Sequence, residues 1–237
     1  MFADQIERRI TKRSGETHHA GTNREKLTMQ AQTVLHKLMM NTCPTMHQTR
    51  RDSLEANILA ALIGRRLTVT DLGRSIQSET SHKHNIKRAD RLLSNSHLHA
   101  ELMEIYRGIC HQCIGSRMRP VILIDWSDLD EYKQHFVLRA AMALEGRSIT
   151  LYEEVHTIRT KEKRETHRQF LRQLKALLPA NCQPILVTDA GFRTTWFLEV
   201  EASGWDWVGR VRNRHYLRWT SGGRWFDAKQ CYPWAGS

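Results

Sequence analysis

The chain is poor in several things, and each shortage narrows what it can be. No apolar run approaches the roughly 18 residues that a membrane-spanning helix requires. The N-terminus is polar and basic, without the apolar core of a secretory signal, so secretion is not expected. Cysteine is sparse: Cys43, Cys110, Cys113, Cys182 and Cys231. An odd count at scattered positions argues against a disulfide framework and fits a reducing cytoplasm. Cys110-His111-Gln112-Cys113 has the CxxC form, but a structural zinc site normally takes a second ligand pair at similar spacing, and none follows. Acid is also short. Asp and Glu total 25 against 36 Lys and Arg, a net charge of +11. A surplus of that size points to a polyanionic partner, usually nucleic acid, with an anionic membrane surface as the rival.

What is present suffices for a core. A chain of 237 residues buries roughly 70% of its unfolded surface and makes one or two domains. Residues 1–28 are rich in Arg, Lys, Glu, Thr and Gly with little apolar periodicity, and they read as a disordered basic extension. From about Gln32 to Tyr106 the spacing is helical. Val34, Leu35, Leu38 and Met39 make one face, and Leu54, Ile58, Leu59, Ala61 and Leu62 another. Thr68 begins a short capped helix that ends near Gly73. In the helix that follows, Lys83, Lys87 and Arg91 fall at i, i+4 and i+8 as a basic stripe, with Ile86, Ala89 and Leu93 as the apolar one. A short helix followed by a basic-faced helix is the outline of a DNA reader. A solvated helix packed by its apolar side has the same pattern.

Gly115 to Pro120 reads as a linker into a second domain. Two β-branched runs in that domain end in aspartate: Val121-Ile122-Leu123-Ile124-Asp125 and Ile185-Leu186-Val187-Thr188-Asp189. Runs without polar interruption predict strands buried on both faces. An acid at the end of such a strand is costly unless something cationic meets it. Between them, His135 to Val155 reads as a β-hairpin turning at Glu145-Gly146-Arg147. Phe170, Leu171, Leu174, Leu177 and Leu178 mark an amphipathic helix stopping at Pro179. A helix from Thr194 to Glu201 and a strand from Trp205 to Val211 complete the series. Arg210, Arg212 and Arg214 alternate along that last segment and either meet phosphate or are solvated. The order strand, strand, strand, helix, strand, helix, strand is that of a ribonuclease-H-like mixed sheet. In that fold the first and fourth strands are neighbours, which would bring Asp125 to Asp189. The expected fold class is α/β: an incomplete ribonuclease-H-like mixed sheet preceded by an all-α DNA-binding domain.

Six segments resemble one family: His84-Asn85-Ile86-Lys87-Arg88, Asp90-Arg91-Leu92-Leu93, Asp125-Trp126-Ser127-Asp128, Leu144-Glu145-Gly146-Arg147-Ser148, Thr150-Leu151-Tyr152-Glu153 and Asp189-Ala190-Gly191-Phe192. The chain resembles the DDE cut-and-paste transposases of bacterial insertion sequences, in the subgroup with a Tyr-Arg-Glu-Lys-type motif, from about Met29 onward. The resemblance implies that Asp125 and Asp189 are the first two acids of a catalytic triad and bind Mg2+ or Mn2+. It implies that Lys83, His84, Lys87, Arg88 and Arg91 grip double-stranded DNA at element ends, in a protein that dimerises there, binds target DNA and occupies the bacterial nucleoid. Two divalent ions about 4 Å apart activate the attacking oxygen and stabilise the leaving one in such phosphodiester chemistry.

The sequence departs from that family in one respect. The third acid, a glutamate after the fifth strand, is not found, and no Tyr-Arg-Glu-Lys-type motif is present. Glu199 and Glu201 precede that strand, and Asp128, Asp130 and Glu131 lie too close to Asp125 in sequence. Expected boundaries are 29–114 for the helical domain, 120–215 for a partial catalytic core, and 216–237 for the truncated start of a β-rich insertion bearing Trp219, Trp225 and Trp234. The expected activity is metal-dependent DNA strand cleavage and transfer, lost or weakened without the third acid. The alternative is an inactive fragment that binds element ends. An aspartate-based phosphatase is disfavoured because Ser127 stands where its second aspartate belongs.

Overall fold

The computed structural model describes residues 29–64, 66–211, 216–218 and 220–234. The basic extension 1–28 and Arg212, Arg214 and Trp219 lie outside the described residues. The chain divides into two compact units, Met1–Gly108 and Ile109–Ser237.

The first unit is helical: α1 (29–42), α2 (Gln48–Gly64), α3 (Val69–Ser75), α4 (His82–Leu93) and most of α5 (Ser96–Ile114). Two apolar clusters hold it. Met39, Cys43 and Met46 pack with Leu35, Leu54, Leu98 and Ile105. Ala60, Leu72, Ile76 and Ala89 pack with Ala56, Ala61 and Val69. The Thr68 hydroxyl accepts the Asp71 N–H at 3.1 Å and caps α3. This helix does not end at Gly73 but runs on to Ser75. Gly73 is instead where α3 meets α4, since a Cβ there would lie 2.4 Å from the Ile86 Cα.

Two expected stripes are displaced. On α4 the buried residues are Asn85, Ala89 and Leu92, while Leu93 is exposed. Asn85 takes a core position because its amide is satisfied: Nδ2 donates to Ser78 Oγ at 2.9 Å, and Oδ1 accepts from Thr80 Oγ1 at 2.8 Å. On α2 the buried pair is Asn57 and Ala60, and Leu62 faces solvent.

The second unit contains β1 (Val121–Asp128), β2 (His135–Leu144), β3 (Arg147–Thr157), α6 (Arg164–Leu177), β4 (Ile185–Thr188), α7 (Thr194–Ala202) and β5 (Asp206–Gly209). The sheet order is β3-β2-β1-β4-β5. β1 is antiparallel to β2 and parallel to β4, β3 is antiparallel to β2, and β5 is parallel to β4. This mixed five-stranded α/β sheet is consistent with a ribonuclease-H-like fold. A small second sheet pairs β6 (Tyr216–Leu217) with β7 (Phe226–Asp227), followed by a 3-10 helix, Ala228–Trp234.

Helix α6 turns Phe170, Leu171, Leu174 and Leu177 inward as its spacing predicts, and adds His167 to the same buried stripe. Phe170 stacks on Tyr152 of β3 with ring centroids 5.1 Å apart. The two aspartate-bearing strands, β1 and β4, are not buried on both faces, in contrast to β2. Along β1, Ile122 and Ile124 are buried while Val121, Leu123 and Asp125 are exposed. Alternation survives beneath an uninterrupted apolar run because the described helices α6 and α7 pack through the even-numbered side, where Trp126 meets His167.

Candidate active site

The register of β1 and β4 pairs Val121 with Ile185 and Ile124 with Thr188. Asp125 and Asp189 each come directly after the last of these pairs, Asp125 within β1, which continues to Asp128, and Asp189 just past the end of β4. The carboxyl ends of parallel strands are the edge where ligands bind in open α/β sheets. Both aspartates are exposed. The cost expected for buried strand-end acids is therefore absent, because the edge opens to solvent.

Each carboxylate is oriented locally. Asp125 Oδ2 accepts from Ser127 Oγ at 3.1 Å, and Asp189 Oδ1 accepts the Gly191 N–H at 2.8 Å. Among the described residues these leave one oxygen of each carboxylate without a hydrogen bond. Gly191 sits close enough that an added Cβ would lie 3.0 Å from Asp189 Oδ1. A Gly191→Ala chain should therefore fold normally yet hold Asp189 a few tenths of an ångström out of place. The expected loss is a few-fold in Mn2+ affinity by calorimetry, against an unchanged melting temperature.

The neighbouring acids are committed elsewhere. Asp130 accepts the backbone N–H groups of Gln134 and His135 and bonds the His135 ring at 2.9 Å. The Gln134 amide, then the His135 contacts, hold its carboxyl below the ordinary range, so it serves the β1–β2 turn. Asp128 pairs with Lys133 at 3.5 Å. Glu153 lies on the sheet row of Asp125, but Arg139 stands between them and donates to Glu153 at 2.8 Å. Glu199 is clamped by Arg168 and Arg164, which depress its carboxyl, and Glu201 accepts from Trp207 Nε1 at 3.0 Å. Beyond β5 the sequence holds one carboxylate, Asp227. Among the described residues no group of three His, Cys, Asp or Glu is arranged to hold a metal ion.

The CxxC cysteines are part of α5. Cys110 is fully buried and its thiol donates to the Leu151 carbonyl at 3.5 Å. Burial pushes that thiol up to about 12, with Cys113 and Cys182 adding to the effect, so it stays protonated.

In the helical unit, Lys83, His84, Lys87 and Arg91 are exposed on α4. The His84 ring bonds Ser81 Oγ at 2.9 Å. Arg88 differs from the other four. Its Nε donates to Ser53 Oγ and its Nη2 to the Asp52 carbonyl, both at 3.1 Å, and it is half-buried against α2. Sequence spacing alone did not separate this residue from the exposed cations.

Two further groups went unread in the sequence. His167 is buried beside Trp126, whose Nε1–H donates to its Nε2 at 3.2 Å. Burial, and then His156, lowers its pKa to about 4. Lys161, Lys163 and Arg193 gather near the Asp189 loop in a cleft that Gly191 also lines. The Lys161-Glu162-Lys163-Arg164 run and the position of Arg193, four residues past Asp189, were the available signals.

No helix among the described residues is long and apolar enough to cross a membrane. Neither the curated proteins nor the solved structures gave a match to this chain. Residues 116–229 match the family model described as the transposase DDE domain. That span contains the whole five-stranded sheet and both strand-end aspartates, and the match supports membership of the DDE transposase family.

Proposed function

We propose that this chain is derived from a transposase of a bacterial insertion sequence, of the subgroup with a Tyr-Arg-Glu-Lys-type motif. In this reading Asp125 and Asp189 supply two of its three metal-binding acids. The observation that carries the reading is the parallel pairing of β1 with β4 within the matched span, with Asp125 and Asp189 each one residue past the last pair. The donor set fits the metal. Mg2+ and Mn2+ take hard oxygen ligands, and Mg2+ is commonly held by one or two carboxylates with substrate phosphate completing the shell. Asp125 and Asp189 each have an oxygen to give. When bound, a divalent ion supplies charge neutralisation at the scissile phosphate and acidifies a bound water.

The chain's own residues do the remaining work. Ser127 and the Gly191 N–H fix the two carboxylates, and the exposed cations of α4 bind duplex DNA, including element ends. Paired ends would be held by a dimer. No group of three acids stands at this edge among the described residues, and on that ground the reading favours DNA binding over cutting.

The test is a plasmid assay in Mg2+. The protein should retard duplex DNA and leave supercoiled plasmid intact. Failure to bind DNA overturns the transposase reading. A nicked product that disappears in Asp125→Ala would instead establish a complete metal centre and remove the two-acid part of the proposal.

A further inference from the structure

Four rings meet on the helix-covered side of the sheet: Trp126 of β1, His167 of α6, Phe192 of the loop after β4, and Trp196 of α7. His167 reaches the other three. It stacks on Phe192 with ring centroids 5.6 Å apart and planes at 29°. It meets Trp196 edge-on at 5.1 Å and lies 6.0 Å from the Trp126 ring. An indole nitrogen only donates, so the 3.2 Å contact is a Trp126 N–H bonded to the His167 Nε2 lone pair. Among the described residues this is the one hydrogen bond joining these four side chains, since the Trp196 indole N–H is buried without a partner.

The cluster touches both aspartate-bearing segments. Trp126 directly follows Asp125, so the two side chains leave β1 on opposite faces. Phe192 follows Gly191, whose N–H holds the Asp189 carboxylate. The β1–β4 ladder ends at Ile124 and Thr188. Beyond it, Ala190 to Arg193 make no backbone hydrogen bond to β1 among the described residues. Side-chain packing therefore sets where the Asp189 loop stands against the end of β1. Phe192 is the buried anchor of that loop, and the ring it stacks on is the one bonded to Trp126.

We propose that His167 is a positioning residue for the two aspartates. Its acceptor nitrogen holds Trp126 behind Asp125, its ring holds Phe192 behind Asp189, and one imidazole thereby ties the two segments together. A phenylalanine at this position would stack without accepting, and a glutamine would accept without stacking. The imidazole does both. Carboxylates whose geometry is fixed by outer contacts before an ion arrives bind it more tightly than carboxylates left to find their places. The use of the tie in metal binding rests on the proposed function; the tie itself does not.

Amide hydrogen exchange in the metal-free full chain tests the tie. Trp126→Phe alters only β1, yet the Gly191 N–H of the other segment should exchange several-fold faster, while the amides of β3 keep their rates. His167→Phe should do the same. An unchanged Gly191 rate, or an equal rise at every amide, overturns the tie. Mn2+ calorimetry, well below the melting temperature of every variant, tests its use. Trp126→Phe and His167→Phe should each weaken binding about tenfold, and the two together no more than either alone. His167→Gln keeps the acceptor and should lose less than His167→Phe. A His167 that only fills the core would lower the melting temperature and leave Mn2+ affinity unchanged; that result, or additive losses in the double variant, overturns the positioning role. Faster Gly191 exchange in the variants, with no Mn2+ binding by the unaltered chain, would remove the metal reading and keep the tie.

Discussion

Replacing Lys83, Lys87 and Arg91 together with alanine is expected to weaken duplex DNA binding by about 100-fold at low salt and to reduce the salt slope by about three. The three side chains are exposed at i, i+4 and i+8 on α4, so they line up along one side of the helix and are free to meet successive phosphates. Each phosphate neutralised releases counterions, which is why the loss should appear in the slope as well as the affinity. Arg88→Ala is the informative contrast. Its guanidinium joins α4 to α2 through Ser53 and the Asp52 carbonyl. Its removal should cost about 1–3 kcal/mol of stability while changing the salt slope less than any residue of the stripe. Fluorescence anisotropy across a salt series, with thermal melts in parallel, separates the two effects. An unchanged slope in the triple variant would assign α4 a structural role.

Acidification should cost the sheet-bearing unit up to about 3 kcal/mol through His167 alone. Its folded pKa, lowered to about 4, lies below the ordinary histidine value of 6.5. The unfolded chain therefore takes the proton first. The contribution is fully present above pH 6.5, falls as pH drops, and is exhausted near pH 4. The cause is burial, with the neighbouring His156 second. Asp130 and Glu199, held below the ordinary carboxyl range, lose their contributions at lower pH. His167→Phe keeps a ring against Trp126, Phe192 and Trp196 but removes the titration. It should be less stable at neutral pH, because Trp126 loses its acceptor, and should fall less steeply between pH 6.5 and 4. Urea melts across that interval provide the measurement. Parallel curves for the two proteins would mean that His167 is already protonated, or freely solvated, in the folded state.

The pairing of β1 with β4 was legible because strand and helix follow one another in a recognisable sequence, with Asp125 and Asp189 each placed after an apolar run. The hairpin at Glu145-Gly146 and the buried stripe of α6 were legible through period and turn chemistry. Burial was less so. The run Val121 to Ile124 has no polar residue, yet odd and even positions have different surroundings, and composition carries no record of that. Asn85 entered the core because its partners Ser78 and Thr80 lie in the preceding loop, a satisfaction that spacing does not reveal. Arg88 and Lys87 are adjacent cations in the sequence; only the crossing of α4 over α2 distinguishes a structural guanidinium from an exposed ammonium. His167 was hidden for a similar reason. It holds a core position on α6 by accepting from Trp126, a residue 41 positions earlier.

The central claim is that Asp125 and Asp189 form a divalent-metal site, and paramagnetic broadening by Mn2+ locates such a site even when binding is weak. Amide signals of Asp125 to Ser127 and of Asp189 to Gly191 should broaden first in the full chain. Asp125→Asn combined with Asp189→Asn should abolish the effect without changing the rest of the spectrum. Broadening centred on another part of the chain, or undiminished in the double variant, would contradict the account.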